Sequence, residues 1–249
     1  MLNQYLLLLI IGSILGSFVN VLIDRLPSGK YFSRNRSFCE SCKKTLKWYD
    51  LFPILSYIFL KGKCRYCKKP IPYRLPIVEL LTGIGFVLIY ILTPVDQLIC
   101  TPFYLVLFAL FVAIFFIDSM HQIIPDVLLL CIGVITVVLH VFSGVEILPY
   151  IVTGVASTLF FLALFLGTKG RGMGFGDVKF AFVIGLLLGF PGSLVAFYAA
   201  FVVGAIVSIG LILSKRKKLK GSKIAFGPFM IVGMVIALLY AENIMALLF

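Results

Sequence analysis

Charge is what this sequence has least of. Asp, Glu, Lys and Arg make up 13% of its 249 residues, about half the share found in a soluble domain. That scarcity, with 61% hydrophobic residues and a mean hydropathy of +1.13, excludes water as the main solvent of the chain. No Lys or Arg precedes the first apolar run, Leu2 to Ile23, and Arg25 follows it. A secretory signal has the reverse charge order and a small-residue cleavage site, so the run is expected to be a retained first transmembrane helix with its N-terminus outside. No Rossmann-type glycine fingerprint occurs either, which excludes the familiar soluble nucleotide-binding unit.

What is present is a series of apolar segments, most of them near the roughly 20 residues that cross a bilayer as a helix. They lie at 2–23, 76–93, 102–117, 125–142, 147–167, 178–190, 193–213 and 224–247. The expected fold class is therefore all-α, a polytopic membrane helix bundle of about eight transmembrane helices. The turn Phe190-Pro191-Gly192-Ser193 could join spans six and seven into one broken helix, and charge decides against this. With eight spans, thirteen basic residues fall between Arg25 and Arg74, three within 169–179 and six within 215–223, all at inside segments. The outside loops at 94–101, 143–146 and 190–193 contain none. Merging the two spans would put the basic run 214–223 outside, against the positive-inside rule. The net charge of +12 is thus a topology signal and a contact for anionic lipid at the inner face. It does not point to nucleic acid.

The organisation expected is a first helix (1–23), a cytoplasmic loop domain (24–75) and a transmembrane domain (76–249). The loop is basic and poor in aliphatic residues outside Leu51 to Leu60, so it has too little apolar surface to fold unaided. It carries Cys39-Glu-Ser-Cys42 and Cys64-Arg-Tyr-Cys67, two CxxC pairs separated by 21 residues. Four thiolates at this spacing can close a tetrahedral Zn²⁺ site, and Lys43, Lys44, Lys63, Arg65 and Lys68 would offset its negative charge. Two disulfides or four free thiols are the alternatives, the first disfavoured in a reducing cytoplasm. A closed four-sulfur site is structural, because it leaves no position for water. Cys100 and Cys131 are expected to be small core residues, and His140 to lie at the membrane interface. No internal repeat stands out.

Ionisable side chains at the edge of membrane spans are candidates for function. Asp118 ends span three in Phe115-Phe116-Ile117-Asp118, and Asp177 opens span six in Gly174-Phe175-Gly176-Asp177. Both are expected at the cytoplasmic face, where they can approach each other. Two carboxylates sharing a site do not both ionise easily, so one donates a hydrogen bond to a scissile carbonyl while the other activates water. The glycines of Gly172-Met173-Gly174-Phe175-Gly176 would let an extended peptide approach. The alternative is that each aspartate caps a helix or meets Lys169, Arg171 or Lys179. For Asp126, after Pro125, capping is favoured. Glu79, at the start of span two, is a candidate contact for a cationic group, or a partner of Arg74.

GxGD at the mouth of a transmembrane helix, an earlier helix-end Asp and two CxxC pairs after the first span together resemble the type IV prepilin peptidase family. The likeness extends through Gly16-Ser17-Phe18-Val19-Asn20-Val21-Leu22-Ile23-Asp24-Arg25-Leu26-Pro27, Ile77-Val78-Glu79-Leu80-Leu81-Thr82-Gly83 and Phe226-Gly227-Pro228-Phe229. The resemblance implies a GxGD-type aspartyl endopeptidase of the bacterial cytoplasmic (inner) membrane that removes basic leaders from type IV prepilins and pseudopilins. It implies Asp118 and Asp177 as the catalytic pair. It also implies an N-methyltransferase activity using S-adenosylmethionine, associated with the cysteine-bearing loop, although no residue marks the methyl-donor pocket. Two rival readings remain at this point: zinc chemistry at the cysteines, and a transporter or assembly scaffold that relays protons through the acids.

The charge pattern predicts the sidedness of every loop. A Cys introduced at Ser143 or Gly144 is expected to react with a membrane-impermeant maleimide only from outside the cell, and one placed within 214–223 only from inside. Inside labelling at 143–144 would break the eight-span arrangement.

Overall fold

The computed structural model describes residues 2–29, 37–170, 172–214 and 225–248. Among these residues every regular element is helical, apart from isolated bridges pairing Phe38 with Thr45 and Lys63 with Pro70. The α-helices are α1 (Leu2–Arg25), α2 (Leu55–Phe59), α3 (Arg74–Leu92), α4 (Thr101–His121), α5 (Asp126–Phe142), α6 (Ile147–Gly167), α7 (Phe175–Leu188), α8 (Gly192–Leu213) and α9 (Gly227–Leu248). Except for the one-turn α2, each occupies one of the eight expected spans. The segments Leu2–Ser28, Arg74–Leu92, Gln97–His121, Ile147–Gly167 and Gly192–Leu211 are long and apolar enough to cross a membrane. α5 and the Gly227–Tyr240 part of α9 are apolar but shorter, and α7 has 14 residues. α7 and α8 are separate helices, because Gly189 leaves the helix at φ +63° and Pro191 follows. The basic run 215–223 lies outside the described residues.

The chain forms two compact units, Met1–Ala113 and Ile114–Phe249. In the first, α1 packs along α3. The approach is close because small residues face each other: a Cβ on Gly12 would lie 2.8 Å from the Gly83 Cα, and one on Gly16 would lie 2.7 Å from the Glu79 Cα. Lipid is as apolar as a leucine surface, so helices in a bilayer associate through such close packing rather than by escaping water. The cysteine loop belongs to this unit.

In the second unit α7 is the central helix. It packs against α5, α6, α8 and α9, and Val178, Phe180, Ala181, Val183, Ile184 and Leu186 are buried around its whole circumference. A helix apolar on every side belongs at the middle of a bundle. Its tightest seam is with α6, where Gly185 sits against Gly154 and Ser157. α8 and α9 form a similar pair, with Gly233 against the backbone of Ala196 and Ala200. The outer faces carry Leu130, Val134 and Val141 on α5 and Leu148, Val152 and Leu159 on α6, all exposed. In water these would form large sticky patches; here they are the lipid-facing surface.

His140, in the last turn of α5, is packed against protein at 7% exposure, with Nε2 2.9 Å from the Leu186 carbonyl oxygen and its ring against Tyr150. It joins the last turn of α5 to α7 because a buried ring nitrogen needs a partner. Cys131 is exposed on α5, not in the core, whereas Cys100 is buried as expected. Cysteine is apolar enough to face lipid, so the change costs nothing.

A Cβ on Gly185 would lie 2.7 Å from the Ser157 Oγ and 2.8 Å from the Gly154 Cα. Gly185→Leu is therefore expected to separate α6 from α7 and to destabilise the bundle by roughly 1–3 kcal/mol or more. Thermal denaturation in detergent reads this as a lowered midpoint, and Gly167→Leu, where a Cβ meets nothing within 4 Å, is the control.

Candidate active site and cysteine centre

Asp118 occupies the last turn of α4, and its side chain is turned into the second unit at 4% exposure. Its Oδ2 accepts a hydrogen bond of 2.9 Å from the Gly227 N–H. Gly227 is the first residue of α9, so Asp118 meets one of the amide donors that a helix N-terminus leaves without a partner. Asp177 lies in the first turn of α7 at 6% exposure, and its Oδ2 accepts from the Gly174 N–H at 2.9 Å. That bond is the backward half of a capping box, in which an acid at the third helical position reaches the amide just before the helix. Each acid thus rests on a helix N-terminus, where the backbone dipole favours an anion.

The two carboxylates lie close enough for the charge of Asp118 to act on Asp177. Ile124 lies beside both motifs: a Cβ on Gly176 would be 3.3 Å from its Cβ, and one on Gly227 would be 3.3 Å from its Cδ1. The expected approach of the two aspartates and the expected helix capping are therefore both present. In each carboxylate the amide engages one oxygen, Oδ2.

Gly227 is set by space. A Cβ there would come 2.6 Å from the Asp118 Oδ2, and no side chain larger than hydrogen fits without moving the acid. Gly227 was visible in sequence as part of Phe226-Gly227-Pro228-Phe229, but nothing in the sequence links that segment to Asp118. Asp126 is elsewhere and mostly exposed. Both its oxygens lie 2.8 Å from Lys179 Nζ, so Lys179 is engaged there. Arg171 lies outside the described residues.

The four loop cysteines converge. The Sγ atoms of Cys39, Cys42, Cys64 and Cys67 all lie within 4.8 Å of one another, with Cys39 and Cys67 at 3.9 Å. Tetrahedral zinc with bonds of 2.3 Å sets its sulfurs about 3.8 Å apart, so the donor set and spacing fit that ion.

The two turns share one construction. In Cys39-Glu-Ser-Cys42-Lys43-Lys44 the Lys43 N–H donates to the Cys39 carbonyl, and the Cys39 N–H to the Lys44 carbonyl. In Cys64-Arg-Tyr-Cys67-Lys68-Lys69 the Lys68 and Cys64 amides do the same. Lys43 and Lys68 both take φ near +60°. The hexapeptide C-x-x-C-K-K is therefore an internal repeat, contrary to expectation; it is too short to stand out from a basic loop. At Cys64 the backbone N–H groups of Cys67 and Tyr66 aim at the sulfur and lower the thiol to about 7, favouring the thiolate that metals bind. Asp50 ties the halves of the loop together, accepting from Arg65 Nε at 2.7 Å and the Tyr66 hydroxyl at 3.2 Å.

Arg74 Nη2 donates to Asp24 at 2.7 Å. Glu79 is buried, and its Oε2 accepts from the Ile54 N–H at 2.8 Å.

Fold and site together define a multi-pass helical membrane protein with a buried carboxylate pair and a four-cysteine centre. Comparison with known proteins narrows this class. The profile of the Bacterial Peptidase A24 N-terminal domain matches residues 10–93, and that of the Type IV leader peptidase family matches residues 105–209. The chain is 31% identical to the prepilin leader peptidase/N-methyltransferase of Aeromonas salmonicida, over 96% of this chain and 91% of that protein. It is 30% identical to the protein of the same name from Bacillus subtilis, over 96% of both chains, and 30% identical to that from Pseudomonas aeruginosa, over 95% and 90%. No solved structure matches. The chain belongs to the type IV leader peptidase family.

Proposed function

We propose that this chain is a membrane-embedded aspartyl endopeptidase that cleaves the basic leader from prepilins and pseudopilins, and that it also N-methylates the new N-terminus. Support for the substrate comes from the names of relatives that align over nearly the whole chain. The observation that carries the mechanism is the buried pair Asp118 and Asp177, each held by one amide of a helix N-terminus and each within electrostatic reach of the other. The proposed catalytic residues are these two aspartates.

The mechanism follows from what the pair can hold. With one proton between them, the protonated carboxyl donates to the scissile carbonyl oxygen while the other takes a proton from the attacking water. The amides of Gly174 and Gly227 fix both groups before substrate arrives, so no reorientation is needed as charge develops. The turn through Gly172 and Gly174 is the proposed approach for the extended peptide. The charge pattern of the loops supports cleavage at the cytoplasmic face, and the bacterial relatives support an inner-membrane location. A transport or scaffold role is not favoured, because both acids lie in terminal turns of helices rather than along a path through the bilayer.

Cys39, Cys42, Cys64 and Cys67 would hold a structural Zn²⁺, which supplies the stability that the loop lacks in apolar surface. Bound S-adenosylmethionine would supply an electrophilic methyl group for the new N-terminal amine.

Asp118→Asn and Asp177→Asn are each expected to lower the rate of leader cleavage about 10³-fold or more while membrane insertion persists. Asp126→Asn should cost far less. Gly227→Ala should turn the Asp118 carboxyl away and cost about 10²-fold, the usual effect of a misplaced catalytic group. Mass spectrometry of a prepilin peptide incubated with each variant reads the result, and full cleavage by either Asn variant would remove that residue from the mechanism.

Elemental analysis is expected to find one zinc per chain, reduced in each Cys→Ser variant together with faster proteolysis of the loop. Such variants should retain part of their cleavage activity and lose more of their methylation. Metal-free wild-type protein with a protease-resistant loop would remove zinc from the account.

A further inference from the structure

The first unit contains a cavity of about 480 Å³ where the loop-side ends of α1 and α3 meet the cysteine loop. Its size suits one small organic molecule, since ligand pockets run from roughly 300 to 1,000 Å³. Leu51, Leu60, Ile71 and Pro72 line it together with polar groups from both helices. Two residues of the lining, and a backbone position bonded to one of them, are unfinished business for the protein alone.

The first is Asn20, on α1. It is 4% exposed, and its Nδ2 donates to the Leu75 carbonyl at 3.0 Å. Its Oδ1 is fully buried and has no hydrogen-bond partner among the described residues. Buried acceptors are rarely left so, and this one lines the cavity. The second is Glu79, on α3, 9% exposed. It takes hydrogen bonds from neutral donors, the Ile54 N–H and the Ser17 hydroxyl. The neighbouring acids are differently served: Asp24 has Arg74, and Asp50 has Arg65. A buried carboxylate that is held, among the described residues, by neutral donors is suited to a cation that arrives with a ligand.

The third feature is the backbone at Ile54, which stands at φ +61°. A β-branched residue in that region is an outlier that the surroundings must hold in place, and Glu79 holds it through the N–H. Strain of this kind collects at ligand sites.

We infer that this cavity is the seat of the methyl donor, with Glu79 facing the cationic part of S-adenosylmethionine and Asn20 Oδ1 accepting one of its N–H groups. The inference rests on the N-methyltransferase part of the reading above and adds the site which that reading lacks. The donor is a nucleoside joined to an amino acid through a positively charged sulfur. It needs apolar walls for its adenosine and an anion for its charge, and the cavity provides both. The leader peptide is a poorer fit, because an extended basic chain needs an open groove with several acids. Of the acids in the lining, Asp24 and Asp50 are paired with Arg74 and Arg65, whereas buried Glu79 is placed to face a ligand charge.

The site lies beside the cysteine centre, whose Cys39 and Cys64 also border the cavity. Loss of the metal would then disturb one wall of the donor pocket. That explains why methyl transfer is expected to suffer more than cleavage when the cysteines are changed.

The test is direct binding to zinc-loaded, full-length protein in detergent, read by isothermal titration with S-adenosylmethionine and with its neutral thioether product, S-adenosylhomocysteine. Glu79→Gln keeps an acceptor for the Ile54 N–H and removes only the charge. It is expected to weaken S-adenosylmethionine at least tenfold and the thioether less, with leader cleavage and zinc content unchanged. Asn20→Leu should weaken both ligands. A wild-type protein that binds the donor while both variants bind it equally well overturns the inference and leaves the methyltransferase reading standing. A wild-type protein that cleaves but neither binds nor transfers a methyl group overturns both. A second measurement needs no variant: ultraviolet cross-linking of tritiated donor to the wild-type chain should label peptides within 17–28, 37–41, 46–65 or 70–79. Label confined to other segments excludes the cavity.

Discussion

A carboxylate can stay buried in a membrane protein only if some fixed donor replaces the water it has lost. In the second unit that donor is in both cases the N-terminus of a helix. Asp118 leans from the end of α4 onto the first amide of α9, and Asp177 folds back onto the amide that precedes α7. The rest of the unit follows from holding those ends together. α7 must lie at the centre for its first turn to reach this point, so it is apolar on all sides. Helix pairs must approach closely enough to fix the positions, which is why Gly154, Gly185 and Gly233 stand at the seams. The glycine at the start of α9 is the tightest case, since the acid occupies the space its side chain would need.

The cysteine loop obeys a different constraint. It has almost no apolar interior: Trp48, Phe52, Leu55, Ile58 and Phe59 are exposed. What organises it is a pair of identical turns, a clamp from Asp50 to Arg65 and Tyr66, and a convergence of four sulfurs. A metal in that position would do for the loop what a hydrophobic core does for a larger domain. The same loop lines the cavity together with α1 and α3, so the four-cysteine cluster borders the proposed donor site.

Much of this was legible in the sequence because membranes reduce the number of choices. Each run of apolar residues became a helix, and the loop charges separated α7 from α8 before geometry did. The cysteines were legible because their chemistry demands proximity whatever the path of the chain. Asp118 and Asp177 were legible as costly groups at helix ends. The partners of these groups were not, because they are backbone amides, and any residue has one. Gly227 could be read as a motif residue but not as the donor to an acid 109 positions away. Asn20 was hidden for another reason: an Asn inside an apolar helix has many uses, and only its unmatched oxygen beside a cavity distinguishes this one. Cys131 left its expected place in the core because periodicity cannot tell which face of an all-apolar helix meets protein and which meets lipid.

The length of α7 has a consequence for how the protein sits in its solvent. Fourteen residues of α-helix rise about 21 Å, whereas the hydrocarbon layer is about 30 Å thick. The central helix therefore falls roughly 9 Å short of spanning it, while its neighbours α6 and α8 are long and apolar enough to cross. Either the bilayer is drawn in around the bundle or a water-lined depression leads down to one end of α7. Asp177 stands at the first turn of that helix, so a shortfall taken up at this end would set the carboxylate pair lower than the surrounding headgroups. A substrate whose own helix is already embedded in the lipid would meet the pair sideways, at its own depth, without leaving the membrane. Lipid tail length would then act on the enzyme as a dimension of its site.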